Sequence, residues 1–169
     1  MIFENTHGKE FELADIVRIV KNDVEFDYKI YVGTDSQVHR KKRKVCYVTC
    51  IVLHKEGRGG RIFINKEWGI LPPKPPKVKG KRQQSAQLAF LRKRLTNEVW
   101  RSVQTSFNLQ ALLPANTEII VDVDLNQSAK YKSGEYVQEL VGMVTGQGFK
   151  CRAKPNAWAA MSVADRYSK

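Results

Sequence analysis

Residues 45–53 (VCYVTCIVL) constrain the fold more than any other part of this chain. The run is nearly continuous in apolar and β-branched residues, which is typical of a strand covered on both faces. A similar run at residues 29–34 precedes it, and a third at residues 61–66 follows a glycine-rich turn at residues 57–60. Because the connections between them are short, the three runs predict an antiparallel meander of strands.

Helical and strand patterns alternate around this meander. An apolar face over residues 13–20 predicts a short leading helix, and leucines and valines three or four apart predict a long helix over residues 83–113. The remaining patterns predict a strand at residues 118–124, a helix from residue 136 to Gly146 or Gly148, a strand at 149–154 and a helix at 157–166. This order predicts an α/β fold with a mixed five-stranded sheet, three antiparallel strands followed by α-β-α-β-α, and helices on both faces.

The length of 169 residues predicts a single domain over residues 1–169. A secretory signal peptide begins with basic residues and continues with an apolar run, whereas the first residues of this chain are acidic. No run approaches the ~18 apolar residues of a membrane helix. We therefore expect a cytoplasmic protein. Residues 70–82 contain four prolines and five Lys or Arg residues without an acidic one, which predicts a basic loop. Such a loop is either a solvated connection or an arm that contacts phosphates.

The charge points to a polyanionic partner. Lys and Arg total 29 against 17 Asp and Glu, a formal net charge of +12. Because no strongly amphipathic basic helix stands out, nucleic acid is a better candidate than a membrane surface. The candidate phosphate contacts are Arg40, Lys41, Lys42 and Arg43 in the connection after the first strand, and Lys132 in a polar loop.

Several strand carboxylates lie where packing alone does not favour a charge. Asp35 ends the first strand of the meander between Thr34 and Ser36, a pattern that on its own is more typical of a turn. Asp122 and Asp124 are two residues apart near the end of the fourth strand, so both point to one face. A carboxylate in such an apolar run needs a partner, because burying it unpaired is costly. A metal ion is one such partner.

Two helical carboxylates extend this set. Glu98 lies on the edge of the apolar stripe of the long helix, where it could instead pair with Arg94 or Arg101. Asp165 lies on the packing face of the last helix, although it could form an exposed ion pair with Arg166 or a terminal lysine. Each alternative is reasonable alone, but carboxylates at sheet ends and on inward helix faces together favour a common site.

Oxygen ligands without interleaved His or Cys favour Mg²⁺ or Mn²⁺ over zinc. Two such ions about 3.5–4 Å apart activate a water and stabilise the leaving oxygen of a phosphodiester. A basic surface that attracts a polyanion and an acidic cluster that binds metal together indicate a nuclease.

An ordered set of motifs resembles the YkuK-type family of predicted ribonuclease H-like nucleases. The motifs are GTDSQ at residues 33–37, LTNEVW at 95–100, VDVD at 121–124, YKS at 131–133, VGMV at 141–144, KPNAWAA at 154–160 and ADR at 164–166. The resemblance implies a ribonuclease H-like fold and assigns Asp35, Glu98, Asp122 and Asp165 to the catalytic, metal-binding set. The family usually has asparagine where Asp124 stands, so Asp124 is the reserve ligand. Residues 72–82 look individual to this protein.

The resulting hypothesis is a nuclease that hydrolyses phosphodiester bonds with two Mg²⁺ or Mn²⁺ ions, bridged by Asp35. The substrate would be RNA, an RNA–DNA hybrid or structured DNA. The alternative is a non-catalytic nucleic-acid-binding module on a ribonuclease H-like scaffold, motivated by the basic stretches alone.

Overall fold

A computed structural model describes residues 1–23, 28–71, 81–126 and 136–168 of the chain, without the side chains of residues 81–84, 160 and 161. Most of the predicted basic loop, residues 72–80, lies outside the described residues, and so does Lys132.

The described residues form one mixed sheet with helices on its faces. Its strands are β1 (Ile2–Asn5), β2 (Glu10–Glu12), β3 (Lys29–His39), β4 (Lys44–Lys55), β5 (Gly59–Ile70), β6 (Ile119–Asn126) and β7 (Lys150–Lys154), in the order β2-β1-β5-β4-β3-β6-β7. The helices are α1 (Leu13–Asn22), α2 (Lys81–Gln110) and α3 (Val137–Thr145), and a π-helical turn (Ala159–Ala164) continues into the short helix α4 (Asp165–Ser168).

The meander predicted from the three apolar runs is confirmed. Strands β3, β4 and β5 pair antiparallel, with Asp35 opposite Val48 and Val48 opposite Lys66. Strand β6 then pairs parallel with β3, and β7 pairs parallel with β6, which makes the sheet mixed. Strand β6 runs in the same direction as β3 and β5, so the connection from β5 to β6 must cross one face of the sheet. The long helix α2 lies in this connection.

The predicted number of strands is wrong, because the sheet has seven strands rather than five. Strands β1 and β2 form a hairpin at the N-terminus that pairs with β5, where Glu4 lies opposite Ile64. The hairpin buries Phe3 completely, and Asn65 Nδ2 donates a hydrogen bond to Ile2 O at 2.7 Å. Segments of three and four residues are too short for a periodic signal, so distant pairing decides their conformation.

Helices cover both faces of the sheet, as predicted. On one face, α1, α2 and α3 enclose the larger core, to which α2 contributes Leu95, Val99 and Val103. On the other face, the π-helical turn packs against β3 and β4 and buries Val163 and Ala164. Among the described residues, no helix is long and apolar enough to cross a membrane.

The last helix differs from the regular α-helix predicted over residues 157–166. It begins as a π-helical turn in which Ala159 N donates a hydrogen bond to Asp122 and the Cys50 thiol donates one to Ala159 O. Both backbone groups of Ala159 are therefore bound to the sheet rather than only to the helix, which is compatible with a locally widened helix.

Candidate functional site

Asp35 lies within strand β3, four residues before its end at His39 rather than at the strand end as predicted, and on the face covered by α4. Its side chain is half-buried, and Ser168 Oγ donates a hydrogen bond to Asp35 Oδ2 at 2.8 Å. Burial raises the pKa of Asp35, and the charges of Asp124 and Asp165 raise it further, against the lowering effect of hydrogen bonds from Ser168 and the Ser36 amide. Asp35 therefore shares its surroundings with two other carboxylates.

Glu98 is buried where α2 meets β3, with 5% of its surface exposed. Ser36 Oγ donates a hydrogen bond to Glu98 Oε1 at 2.5 Å, and Arg94 Nε lies 3.9 Å from the same oxygen. Burial raises the pKa of Glu98 to about 8; Ser36 and Arg94 act against this shift, whereas the charges of Asp35 and Asp124 add to it. The ion pair considered from the sequence thus forms with Arg94, but it does not compensate for burial.

Buried hydroxyl groups anchor α2 at this position. Ser102 Oγ donates a hydrogen bond to Thr34 Oγ1 at 2.8 Å, and Thr34 Oγ1 lies 3.0 Å from Thr49 Oγ1. Ser102 stands one helical turn after Glu98, so these contacts hold Glu98 beside Ser36 of β3. Sequence reasoning missed this connection, although the hydroxyl residue four positions after Glu98 was a visible signal.

Asp122 is fully buried in a network of hydrogen bonds. Arg152 Nε donates to Asp122 Oδ1 at 2.8 Å, Arg152 Nη2 donates to Oδ2 at 2.9 Å, and Ala159 N donates to Oδ2 at 2.7 Å. Burial raises the pKa of Asp122, and the hydrogen bonds from Arg152 and Ala159 lower it. The Arg152 guanidinium also lies over the Tyr31 ring, 4.2 Å from its centroid. Asp122 thus joins β6, β7 and the π-helical turn.

Asp124 acts electrostatically on the other carboxylates. Gly33 of β3 pairs with Asp122 of β6, and two residues further along each strand are Asp35 and Asp124. Burial is the largest cause of the raised pKa values of Asp35 and Glu98, and the charge of Asp124 adds to it in both. Lys154 Nζ lies 2.5 Å from Asp124 Oδ1, but this buried oxygen has no partner with hydrogen-bond geometry.

The four carboxylates that act electrostatically on one another come from separate elements of the fold: Asp35, Glu98, Asp124 and Asp165, on β3, α2, β6 and α4. Asp165 is half-buried as the first residue of α4, and its carbonyl accepts a hydrogen bond from Ser168 Oγ. Within the described ranges, no three His, Cys, Asp or Glu side chains are already close enough to hold a metal ion together. Their chemistry fits a hard divalent cation, since all are oxygen donors, and burial and like charge hold the pKa values of Asp35 and Glu98 above normal.

The cations next to Asp122 and Asp124 were also missed from the sequence. Arg152 and Lys154 are two residues apart on β7, as Asp122 and Asp124 are on the neighbouring parallel strand β6. The available signal in the sequence was that acidic residues two apart on β6 are followed by basic residues two apart on the next strand, β7. Such a pattern favours ion pairs between neighbouring strands.

The predicted basic connection forms the turn between β3 and β4. All four of its cationic side chains are exposed: Arg40, Lys41, Lys42 and Arg43. From the rise of a β-strand, His39 at the end of β3 lies about 13 Å from Asp35. The basic turn therefore extends from the strand that carries Asp35.

Comparison with known proteins supports a family assignment. The chain matches the family model described as "Ribonuclease H-like" over residues 12–70 and 77–169. A relative, "Uncharacterized protein YkuK" of Bacillus subtilis (strain 168), is 26% identical over 184 residues, which cover 99% of this chain and 97% of that protein. No solved structure matches the chain significantly. Because the match spans most of the chain, including every strand from β3 to β7, the protein belongs to the ribonuclease H-like family, in its YkuK-type group.

Proposed function

We propose that this protein is a Mg²⁺- or Mn²⁺-dependent nuclease that hydrolyses phosphodiester bonds in RNA or in an RNA-containing or structured nucleic acid. Membership of the ribonuclease H-like family suggests a nuclease-type or nucleic-acid-related function. One observation supports the finer proposal: the charges of Asp124 and Asp165 raise the pKa of Asp35, and those of Asp35 and Asp124 raise the pKa of Glu98, although these four carboxylates lie on four separate elements.

Such a cluster is costly without a cation. The chain has 29 basic residues, yet Arg94 is the one cation among the principal causes acting on Glu98, and its effect is smaller than that of burial. A bound divalent ion would offset both the like-charge repulsion and the desolvation of these carboxylates. The excess of acid at this point of a basic protein is therefore explained by metal binding better than by folding stability.

The candidate ligands have different surroundings. Asp35 is central, because it interacts with Glu98, Asp124 and Asp165. When bound, divalent ions would supply an activated water and stabilise the leaving oxygen of the phosphodiester. Glu98 must release its proton before it can act as a ligand, so metal affinity should rise with pH up to about 8.

Asp122 remains a predicted ligand, but its hydrogen bonds favour a positioning role. Both carboxylate oxygens accept hydrogen bonds from Arg152, and one accepts another from Ala159 N. As a ligand, Asp122 would have to exchange some of these contacts. Through these hydrogen bonds Asp122 links β6, which carries Asp124, to the π-helical turn that continues into α4 and Asp165.

Cleavage assays with labelled RNA, RNA–DNA hybrid and branched DNA in Mn²⁺ test the proposal. Wild-type protein should cut at least one substrate, EDTA should abolish cutting, and Asp35→Asn should lose it while remaining folded. Glu56→Gln is the matched control, because Glu56 is an exposed carboxylate in the turn at the opposite end of the meander. Equal cleavage by wild type and Asp35→Asn would overturn the proposal.

A non-catalytic nucleic-acid-binding role is the second candidate. It is favoured by the absence, among the described residues, of a preassembled group of three carboxylates, and by the ion pairs of Asp122 and Asp124 with Arg152 and Lys154. It predicts binding that depends steeply on salt and is unaffected by EDTA. Calorimetric titration with Mn²⁺ separates the two functions, because Asp35-dependent metal binding supports the nuclease.

A further inference from the structure

A strip of the sheet next to Asp35 continues beyond the helix that covers this face. Side chains on a strand alternate between faces, so Gln37 and His39 point to the same side as Asp35. Gln37 lies opposite Cys46, which pairs in turn with Trp68 of β5. The next row on this face consists of His39, Lys44 and Ile70.

The described contacts agree with this assignment of faces. The Trp68 ring lies 5.0 Å from the His39 ring, between centroids, and Lys42 Nζ lies 5.7 Å from the Trp68 centroid. In the row that contains Asp35, Lys66 Nζ lies 5.8 Å from the ring of Tyr167 in α4. We call this surface the Trp68 strip; it comprises Gln37, His39, Lys44, Lys66, Trp68 and Ile70.

The Trp68 strip combines an exposed aromatic ring with positive charge. Trp68 is 49% exposed and Ile70 is 88% exposed. Lys44 and Lys66 lie in the strip, and the basic turn borders it. Glu67 of β5 points to the opposite face, where it forms an ion pair with Arg101, so its charge does not lie in the strip.

This combination matches the chemistry of an unpaired nucleic-acid strand. In a duplex the faces of the bases are covered by their neighbours, whereas in a single strand they are free to stack on an aromatic side chain. Lysines beside the ring can contact the phosphates without reading sequence. From strand spacing and rise, the Trp68 backbone lies about 12 Å from that of Asp35, a distance that a short stretch of single strand can bridge.

We propose that the Trp68 strip binds an unpaired strand of the substrate beside the bond to be cut, with a base stacked on Trp68 and phosphates near Lys42, Lys44 and Lys66. This inference rests on the proposed function and narrows its substrate class to nucleic acids with a single-stranded segment. RNA and DNA share the chemistry on which it depends.

Binding measurements in EDTA test the inference separately from cleavage. Fluorescence anisotropy would compare oligouridine and oligodeoxythymidine of about twelve nucleotides with an abasic strand of the same length and with a blunt duplex. The variants are Trp68→Ala and Trp68→Phe. Trp100→Ala is the matched control, because Trp100 is 51% exposed but lies on α2, which packs against the opposite face.

We expect Trp68→Ala to weaken binding of the base-containing single strands by about 5- to 150-fold, the range typical of one stacked base. Trp68→Phe should retain part of the affinity, Trp100→Ala should bind as wild type, and the abasic strand should bind wild type and Trp68→Ala equally. Oligouridine and oligodeoxythymidine show whether the strip prefers RNA or DNA.

Two results would overturn this inference but not the proposed function. The first is an unchanged affinity of Trp68→Ala for single strands, and the second is an equal loss of affinity for the abasic strand. If Trp68→Ala keeps its affinity but alters the oligomeric state in gel filtration, the strip is a contact between protein copies and the inference fails. If wild type binds none of the nucleic acids in EDTA, the inference fails, whereas the proposed function is decided by the cleavage assays in Mn²⁺.

Discussion

Asp122 and Asp124 stand two residues apart on β6 and occupy different environments. Asp122 is fully buried and accepts three hydrogen bonds, whereas Asp124 is half-buried beside Lys154 and acts on Asp35 and Glu98. The sequence places them on one face without distinguishing them. Arg152 on β7 and Ala159 in the π-helical turn hold Asp122 by hydrogen bonds, whereas the charge of Asp124 acts on Asp35 and Glu98.

Substitution should separate the two roles. Asp122→Ala leaves the Arg152 guanidinium and Ala159 N without their shared acceptor, so we expect unfolding to become easier by about 3 kcal/mol. For a chain of this size that lowers Tm by roughly 6–12 °C. Asp124→Asn should change stability by less than about 1 kcal/mol, because Lys154 can be hydrated, but should abolish Mn²⁺-dependent cleavage. Thermal unfolding and cleavage assays check both; equal loss of stability in the two variants would contradict the distinction.

Glu98 should make stability depend on pH when metal is absent. Its pKa is about 8 in the folded protein against an ordinary value of 4.5, so the folded state retains a proton that the unfolded state has lost. The stabilising contribution is fully present below pH 4.5 and is lost as pH rises through 8. We therefore expect the free energy of unfolding in EDTA to fall over this range, by at most about 1.4 kcal/mol per pH unit from this residue.

The comparison with Glu98→Gln isolates this residue, since burial also raises the pKa values of Asp35 and Asp122. Urea unfolding at a series of pH values should give a shallower decline for Glu98→Gln than for wild type. Parallel curves for the two proteins would show that Glu98 does not titrate in this window.

At the level of elements, strand β3 carries both a proposed metal ligand and the proposed phosphate contacts in one segment. It carries Asp35 on the face covered by α4, Ser36 facing Glu98, and the basic turn at its end. The turn thus lies in line with the carboxylate cluster rather than on a separate surface, so a bound phosphate backbone would run toward Asp35.

Replacing the cationic side chains of the basic turn should weaken nucleic-acid binding and make it depend less steeply on salt concentration. Replacing Arg40, Lys41, Lys42 and Arg43 by serine removes up to four phosphate contacts, which should reduce the slope of log K against log salt by up to ~3.6 for duplex DNA. The control replaces Lys55 and Arg58 at the opposite end of the meander. Binding titrations in EDTA at several salt concentrations measure the slopes, and an unchanged slope in the serine variant would exclude the turn from the interface.

At the level of the whole molecule, the net charge is +12, yet Asp35, Glu98, Asp124 and Asp165 place negative charges that act on one another in one part of the fold. The positive field would draw a polyanion to the surface, while the carboxylate cluster would need a divalent cation before a phosphate could approach it. Metal binding should therefore stabilise the whole fold, because the four carboxylates come together only when α2, α4 and the sheet have assembled.

Mn²⁺ at about 100 times its dissociation constant should stabilise the protein by about 2.7 kcal/mol, which corresponds to a rise in Tm of roughly 5–11 °C. Asp35→Asn should lose most of this rise, whereas Glu56→Gln should keep it. Thermal scans with Mn²⁺ and with EDTA measure the difference. An equal rise in wild type and Asp35→Asn would indicate metal binding elsewhere.

The sequence alone was sufficient for the meander, the mixed sheet, the helices on both faces and the ribonuclease H-like resemblance. These features depend on periodic apolar patterns and ordered motifs that extend over many residues, so local chemistry specifies them. The N-terminal hairpin was not predictable in this way, because strands of three and four residues acquire their stability from pairing with β5.

Tertiary structure decided the chemistry of the site. Whether a carboxylate on β6 is held by Arg152 or acts on Asp35 depends on β7 and the last helix, which lie about 30 residues or more away in the chain. The raised pKa of Glu98 likewise follows from burial between α2 and the sheet. Sequence identifies the candidate side chains for binding metal or phosphate. Charge interactions and burial, which depend on distances through space, set the individual environment of each candidate.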